Sequence, residues 1–405
     1  VPLPYMGQTT CRVVVEGRTV EEILSFDYSS DVMAIAEEAH FSVENKNRKY
    51  RDQLRLGQRV EFILQNPDVN GGAPTVKHRG VIVRRNPKIS PSEGSVINIT
   101  SADLGWHIQN SDAPLWMRLQ GKTFADICDP ATSPFFDPSW GFTGLDFTGD
   151  PRRRLKLGLA AALIEQQNII QPVHVIQIEP GEKPSEKITE YARRLNLLLN
   201  VSPDGKVCLF RPNDEQAPLY SLRLREGDEG CNVLDADLVE DARSLWTEVI
   251  VVGEQLPNQL FTNTTNPNAT KKRGRVVHPG ALPFTHRRTA ADGEMYENGL
   301  AQKQAEWMYK RGIFDAWVAT YNVSEHHQNG FWWESDTVVH IDDEELGLLG
   351  NFYVQAVHCT GSKQAGDTTT VTVRKPGLLS ASFGEYPNPP IFRANGISGT
   401  PASAA

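Results

Sequence analysis

The sequence lacks the features that identify several whole classes of protein. No uninterrupted apolar stretch approaches the roughly 20 residues that a membrane-spanning helix needs. Residues 1–8 do not show the basic and apolar pattern of a signal peptide. The cysteines are few, scattered, odd in number and free of any CxxC pair: Cys11, Cys128, Cys208, Cys231 and Cys359. We therefore expect no stable membrane insertion, no disulfide framework and no zinc ribbon, and we expect assembly in a reducing cytoplasm.

Motifs for nucleophilic catalysis and for phosphate binding are also missing. The sequence contains no GxSxG, SxxK, GxxxxGK[ST] or GxGxxG pattern, and it has no HExxH metal motif. Paired carboxylates for glycoside hydrolysis depend on a separation in space, which the order of residues does not reveal. The sequence thus predicts no catalytic, cofactor-binding or metal-binding residue, and it predicts that the protein is not an enzyme.

Composition and charge describe a folded chain of several domains. With 405 residues, of which 39% are hydrophobic and 22% charged, about two to four domains are expected. The net charge is -9, which argues against the whole chain being a nucleic-acid binder, because such binding comes mainly from phosphate neutralisation by Lys and Arg. An acidic surface would repel DNA and so suit a conduit, although the same excess also serves ordinary solubility.

Alternating apolar and polar residues dominate the first part of the chain. Phe26 and Tyr28 alternate with Ser25 and Asp27, and a similar alternation covers residues 59–64. Further short apolar runs lie at residues 11–15, 41–43, 81–83 and 96–100. Several short strands separated by turn-forming residues favour an antiparallel barrel or sandwich over residues 10–101.

The middle of the chain changes character and predicts a mixed α/β unit. Residues 128–154 are rich in Pro, Gly, Asp and Phe and are interpreted as a long ordered insertion loop. Helical spacing predicts helices over residues 155–167 and 185–199. Asp204 and Gly205 then separate the second helix from a strand at residues 207–210.

Strand-like alternation returns beyond Leu238 and predicts a second β-rich domain. Its apolar runs lie at residues 249–252, 317–323, 338–341, 352–359 and 369–373. A polar, basic loop over residues 258–288 interrupts it, as does a helix over residues 299–311 that Gly312 is expected to cap. Residues 380–405, rich in Pro, Gly, Ser and Ala, predict an extended arm or a partly flexible tail.

Two polar clusters contain residue types that can bind a metal ion. His326 and His327, beside Glu325, are adjacent on a predicted strand and would point to opposite faces, so a solvated hairpin is the favoured interpretation. The acidic run at residues 342–345 lacks the glycine and the staggered oxygens of a calcium loop, and a charged turn between strands is favoured.

Two basic clusters and one aromatic cluster are explained without a ligand-binding role. Basic residues cluster at positions 152–156 and 271–275 without interleaved aromatic residues, which favours solvated or subunit-contact loops over DNA recognition. Phe331, Trp332 and Trp333 could stack on a sugar, but they precede a predicted strand, and packing is favoured.

The order and spacing of these segments resemble the baseplate hub proteins of Mu-like and related contractile-tailed phages, a family related to the hub part of type VI secretion spikes. The resemblance covers residues 11–376. The segments that carry it are residues 11–28, Leu56-Gly57-Gln58-Arg59-Val60, Gly80-Val81-Ile82-Val83, the amphipathic residues 185–200, residues 204–207, the strand at 246–253, Ala305-Glu306-Trp307, residues 317–323 and 333–339, Leu346-Gly347-Leu348 and residues 368–375. The insertions at residues 128–154 and 258–288 depart from the family pattern.

The resemblance implies a mainly β fold with an α+β insertion. It implies a first barrel-like tube domain over residues 1–115, a mixed α/β region over 116–237, a second tube domain with a helix over 238–376, and an extended arm over 377–405. Three copies would form a pseudo-sixfold ring in the virion baseplate, with the tail tube or tube-initiator protein, the spike, baseplate wedge proteins and the tape measure protein as partners. DNA would be only a transient passenger, and no cofactor is implied.

Three alternatives stay open at this point. One is a tail-associated cell-wall hydrolase, which a zymogram would reveal. The others are a secretion-system spike hub and a carbohydrate-binding tail module.

Overall fold

The computed structural model describes residues 9–90, 94–113, 115–119, 122–146, 176–194, 197–212, 214, 216–227, 230–253, 273–278, 282–292, 298–362 and 366–378. Its helices are α1 Gly105–Asn110, α2 Phe124–Cys128, α3 Pro184–Arg194 and α4 Asn298–Ala316. Single 3-10 turns lie at Lys46–Arg48, Asn70–Gly72, Pro138–Trp140 and Ala242–Ser244.

Strands make up most of the described chain. The strands before residue 241 are β1 Thr10–Val15, β2 Arg18–Val20, β3 Ile23–Asp31, β4 Glu38–Glu44, β5 Arg59–Gln65, β6 Thr75–Ser90, β7 Gly94–Asp103, β8 Met117–Leu119, β9 Gly144–Asp146, β10 Ile176–Ile178, β11 Leu198–Val201, β12 Lys206–Phe210, β13 Tyr220–Leu224 and β14 Val233–Glu240. The later strands are β15 Glu248–Gly253, β16 Arg273–Val277, β17 Arg287–Asp292, β18 Trp317–Val323, β19 His327–Gln328, β20 Phe331–Trp332, β21 Thr337–Asp343, β22 Leu348–Ser362 and β23 Gly366–Arg374.

Contacts divide the chain into two compact units. The first holds the described residues up to 238 and those from 318 to 376, and the second holds the described residues from 239 to 317 with residues 377 and 378. The strands of residues 318–376 therefore join the sheet of the first unit, whereas the sequence grouped them with residues 238–317. The predicted division into two barrel domains and a middle region stays a prediction.

A 13-stranded sheet forms the frame of the first unit. Its order is β14-β18-β23-β22-β3-β4-β7-β6-β5-β1-β2, with β21 beside β22 and β13 beside β21. The pairs from β22 through β3, β4, β7, β6 and β5 to β1 are antiparallel, which confirms the strands predicted over residues 10–101. The fold is mainly β, as predicted, but none of its described sheets closes on itself, so the barrels and the trimer remain predictions.

One face of this sheet packs into a core because its inward residues are large and apolar. Phe26 and Tyr28 of β3, Phe41 of β4 and Phe62 of β5 are all buried there. Phe26 and Tyr28 each contact Phe62, with ring centroids 5.3 and 5.7 Å apart. Alternation with period two thus turns every second side chain of these strands into core.

A second core belongs to the predicted mixed α/β region. There β11 and β12 form an antiparallel pair, with β9 parallel to β12, and α3 packs its buried Ile188 and Ala192 into the same cluster. Helix α3 ends at Arg194, and Leu198 and Leu199 lie in β11, so the predicted helix over residues 185–199 was too long. The spacing misled because residues 198–201 are buried on both faces, where an apolar run cannot distinguish strand from helix.

The long loop expected at residues 128–154 is ordered where it is described, but it includes β9 and a 3-10 turn. Its aromatic residues build core, since Phe135, Phe136 and Phe142 are buried. The helix predicted at residues 155–167, the end of this loop and the arm at 380–405 lie outside the described residues.

The second unit places α4 on a three-stranded sheet. Its strand order is β16-β15-β17, and α4 buries Ala301, Ala305 and Tyr309 against it. Part of the predicted basic loop at residues 258–288 is therefore strand: in β16, Gly274 and Val276 are buried while Arg273 and Arg275 are exposed.

The prediction that Gly312 caps this helix is wrong, because Gly312 lies inside α4. A Cβ atom at this position would come within 2.5 Å of the Ser244 carbonyl oxygen and 2.8 Å of Trp246 Cδ1. The glycine therefore permits a close approach of the 244–246 segment to the helix, and the helix continues to Ala316.

Candidate assembly surface

The outward face of the large sheet is polar along its middle strands. On β3 the outward residues are Ser25, Asp27 and Ser29, which alternate with the buried Phe26 and Tyr28. Strand register places outward residues of neighbouring strands opposite one another. These residues, which we call the polar face, are Thr320 and Asn322, Thr368, Thr370 and Thr372, His358, Thr360 and Ser362, Ser25, Asp27 and Ser29, Glu38, His40 and Ser42, Asn98 and Thr100, and Arg84 and Asn86.

Side-chain hydrogen bonds link the strands across the polar face. Ser42 Oγ donates to Asn98 Oδ1 at 2.8 Å, and His40 Nδ1 lies 3.0 Å from Thr100 Oγ1. The hydroxyls of Thr360 and Thr368 lie 2.7 Å apart. Such cross-strand pairs fix the register of a sheet and hold its outer surface in one arrangement.

This chain of contacts reaches the edge strand β14. Thr370 Oγ1 donates to Asn322 Oδ1, and Asn322 Nδ2 donates to Asp235 Oδ1 at 2.7 Å. In the middle of the face, the hydrogen bond between His358 and Asp27 raises the pKa of His358, and partial burial opposes that shift. Asp235 is thereby assigned to the polar face, and its neighbour Leu234 to the opposite face.

The polar face is concave between β3 and β6. Ser25, Asp27, His40, Arg84 and Asn98 are among the residues that line a depression of about 450 Å³. Most of its polar side chains are uncharged Ser, Thr and Asn, and the charged ones carry both signs. Such a surface offers no concentrated positive field for a phosphate backbone.

Two edges of this face lack a strand partner among the described residues. One is the outer edge of β14. The other is β6 beyond Ile82, because β5 pairs with β6 only as far as Val81 and the backbone of Ile82 bonds Gly57 and Gln58. Other edges are protected: β2 has three residues, and Asn232 and Gln328 side chains hydrogen-bond the backbone of β13.

The two open edges differ in charge and are alike in apolar content. β14 carries Asp235 and Asp237 on the polar face, and the second half of β6 carries Arg84 there. On the opposite face, Leu234 is 59% exposed and Ile89 is 82% exposed. Exposed apolar residues on an open strand edge favour pairing with another chain.

A buried polar network stiffens the sheet behind the polar face. Tyr28 Oη and Ser30 Oγ each donate to a carboxylate oxygen of Glu37 at 2.9 Å. Ser30 Oγ also lies 2.9 Å from Ser335 Oγ, and Lys77 Nζ bonds the buried carboxylate of Glu334. Because these polar atoms are shielded from water, their partners hold β3 and β6 in place.

The His326 and His327 pair lies in a hairpin, as predicted, but the hairpin is not solvated at His326. The His326 ring is buried, with Nδ1 2.7 Å from Thr369 Oγ1, while Glu325 is exposed beside His327. Trp333 N donates to His326 O at 2.9 Å, so the structure brings this cluster and the aromatic cluster together.

Packing accounts for two residues of the aromatic cluster. Trp332 and Trp333 are buried, Trp332 Nε1 donates to Thr75 Oγ1 at 3.0 Å, and the Trp333 ring lies 4.1 Å from that of Tyr220. Phe331 is exposed. The interpretation as core is confirmed for both tryptophans.

The acidic run at residues 342–345 forms the end of β21 and a turn, away from the histidines. Asp343 is buried, accepts a hydrogen bond from Tyr321 Oη at 2.8 Å and accepts another from Leu346 N at 2.9 Å. Arg225 holds the pKa of Asp342 below its ordinary value through a hydrogen bond. The charged turn is confirmed, with one of its acids serving the fold.

The basic clusters are only partly described. Residues 152–156, 271 and 272 lie outside the described residues. Arg273 is exposed, and Arg275 Nε donates to Glu248 Oε1 at 2.7 Å. Within the described ranges, no group of three His, Cys, Asp or Glu side chains is placed to hold a metal ion, and no helix is both long and apolar enough to cross a membrane.

Comparison with known proteins rests on structure, since no protein-family model and no curated protein sequence matches the chain. A tail protein from Neisseria meningitidis superposes with a TM-score of 0.72 at 18% identity, covering 92% of this chain and 98% of that one. The 43 kDa tail protein of prophage MuSo2 from Shewanella oneidensis gives 0.68 at 17% identity, covering 92% and 99%. The chain has the fold of phage tail proteins. A chain of the PdpA–VgrG complex from Francisella gives a TM-score of 0.53 at 9% identity, covering 96% of this chain and 55% of that one.

Sequence reasoning missed the polar face of this tail-protein fold. The alternation in each strand was visible, but the pairing of β3 with β22, more than 300 positions later, was not. Rows of Ser, Thr and Asn at alternate positions were the only available signal.

Proposed function

We propose that this chain is a structural baseplate hub of a contractile phage tail. In this proposal it is a homotrimer that connects the hexameric tail tube to the trimeric spike and forms part of the DNA ejection channel. Its partners are further copies of itself, the tail tube or tube-initiator protein, the spike, the wedge proteins and the tape measure protein. It acts by shape and adhesion and not by catalysis.

The single observation that carries the proposal is the polar face with its two open edges. A head-to-tail contact between the Asp235 edge of one copy and the Arg84 edge of the next is heterologous, and such contacts close into a ring when the rotation between copies allows it. The strands would continue from copy to copy, with polar face beside polar face and Leu234 beside Ile89. The concavity of the face supports its placement on the inside of the ring.

The chemistry of the polar face supports its proposed role as a channel wall. Ser, Thr and Asn side chains that already bond one another make weak partners for passing phosphates, and Asp27 and Glu38 repel them. A wall of this kind lets DNA slide, because strong non-specific binding needs many Lys and Arg contacts.

The decisive experiment measures solution mass by light scattering, with charge variants at the two edges. The wild type should have three times the 45.1 kDa chain mass. The double variant Asp235→Lys, Asp237→Lys should shift it to monomer, and adding Arg84→Glu should restore the trimer because the charges are exchanged. Asp52→Lys is the matched control, since this acid is 81% exposed and belongs to neither β14 nor β6.

Two outcomes would overturn the proposal. One is a wild-type monomer at micromolar concentration both alone and with a trimeric spike protein. The other is clearing of purified cell wall in a zymogram, which would assign the chain to the hydrolases.

A further inference from the structure

A small cleft in the second unit is lined by tryptophan and arginine. Trp246, Trp307, Arg288 and Arg311 border it, and its volume is about 160 Å³. All of its lining residues belong to residues 239–317, so the cleft exists within one unit of one chain. Its volume suits a single side chain and is too small for a folded surface or a nucleic-acid strand.

The wall formed by Trp246 is held firmly. The His286 ring packs against Trp246 with centroids 4.2 Å apart and the ring planes tilted by 40°, and His286 Nδ1 lies 2.7 Å from the Leu245 carbonyl oxygen. His286 N donates to Thr247 Oγ1 at 2.8 Å. On its other side Trp246 approaches α4 at Gly312, where a Cβ atom would collide with the indole ring. The cleft is therefore pre-formed, which lowers the entropy cost of binding.

Donor groups outnumber acceptors around the cleft. The Arg288 guanidinium lies 5.2 Å from the centre of the Trp246 ring, and the two indoles each carry an N–H group. The only side-chain carboxylate is Asp315, which accepts from Arg311 Nε at 2.9 Å. A ligand that complements this lining has an apolar body and carboxylate acceptors.

The net charge of residues 239–317 also favours an acidic ligand over a basic one. Residues 239–317 hold ten Lys and Arg against nine Asp and Glu, a net of +1, whereas the whole chain has a net charge of -9. Tryptophan and arginine in one partly buried cleft are also the residues that contribute most to binding at protein interfaces.

We propose that this cleft binds an acidic segment of a partner protein. An apolar side chain of that segment lies between Trp246 and Trp307, and flanking carboxylates bond Arg288 and Arg311. A polypeptide is favoured over DNA because the cleft accepts one side chain and has Asp315 at its rim.

The test uses the full-length protein and two amidated peptides. One peptide is built from Asp, Glu and Leu, and the other has Asn and Gln at every acidic position. Titration calorimetry and tryptophan fluorescence should show that the acidic peptide binds and the neutral peptide does not. Arg288→Gln and Arg311→Gln should each weaken binding about tenfold, because each removes a hydrogen bond to a charged group.

Arg243→Gln is the matched control. It removes the same charge from the same unit, but Arg243 is 91% exposed, pairs with Asp241 and does not line the cleft, so peptide affinity should stay unchanged. Trp307→Phe should weaken binding while thermal unfolding shows that the fold is kept. Equal binding of both peptides, no binding of the acidic peptide at about 1 mM, or tighter binding of a DNA oligonucleotide would overturn the proposal. The result does not depend on whether three copies assemble.

Discussion

The two compact units hold a buried carboxylate in different ways. In the first unit Glu334 is bound by Lys77, and the two side chains are 7% and 1% exposed. In the second unit Glu248 is 8% exposed, but its partners Arg275 and Arg287 are each 57% exposed. Burial of the partner decides the energetics, since a charge that cannot reach water has no substitute for a lost partner. The units should therefore respond unequally to the loss of an ion pair.

The largest change in the free energy of unfolding is expected from Lys77→Met. The substitution leaves Glu334 buried without its cation, which should lower the free energy of unfolding by about 3–5 kcal/mol. Chemical denaturation of the variant and the wild type measures this difference.

Two further variants test the cause. The double variant Lys77→Met, Glu334→Leu should recover most of the loss, because no buried charge is left. Lys49→Met breaks an exposed pair with Glu21 and should change stability little. A large loss in the double variant would mean that Lys77 matters through packing, for instance on Trp332, over which its Nζ lies at 5.3 Å.

Gly274→Ala tests the second unit through packing and not through charge. The new Cβ atom would lie 1.9 Å from the Ala301 carbonyl oxygen, so α4 would have to move away from β16. We expect a loss of about 1–3 kcal/mol in the free energy of unfolding. Gly144→Ala is the control, since nothing lies within 4 Å of a Cβ atom there, and a similar loss in both variants would contradict the explanation.

Asp27→Asn tests a half-exposed pair on the polar face. The Asp27 hydrogen bond raises the pKa of His358 above 6.5, so its stabilising contribution is complete below that pH and is lost as pH rises through the raised pKa. In the variant, the pKa of His358 should fall, because the remaining effect, partial burial, lowers it, and an NMR titration of the ring protons measures this change. An unchanged titration would show that Asp27 does not act on His358.

The smallest change in the free energy of unfolding is expected from Glu248→Gln. Hydrogen bonds from Arg287 and then Arg275 lower the pKa of Glu248 below 4.5. Its contribution is therefore present above that pH and is lost as pH falls through the lowered pKa. The free energy of unfolding of the wild type should exceed that of the variant near neutral pH, and this difference should shrink as the pH is lowered. Chemical denaturation at several pH values measures it. A constant difference between the two proteins would rule out this titration as the cause.

Local patterns predicted the strands well and the ends of the helices poorly. The alternation in β5 was sufficient because one face of that strand packs on a core and the other does not. At Gly312 the same kind of reasoning failed, since a glycine that ends a helix and one that admits Trp246 look alike in the sequence.

The candidate surface depended on information that a single sequence does not contain. His358 and Asp27 are polar residues on separate strands, and only the pairing of β22 with β3 makes them neighbours. Asn322 and Asp235 meet in the same way. Local sequence patterns were therefore enough to predict the individual strands. The polar face was not predictable in this way, because it depends on pairing between strands that are far apart in the sequence.

Strand β22 has a mechanical consequence. It runs for 15 residues, pairs with β21 over its first half, and pairs with β23 and β3 on its two sides over its second half. A pull along its axis loads the backbone hydrogen bonds of three neighbours at the same moment. An edge strand such as β14 can be peeled away one bond at a time. Under tension, the edge strand β14 should therefore detach from the sheet before β22 does.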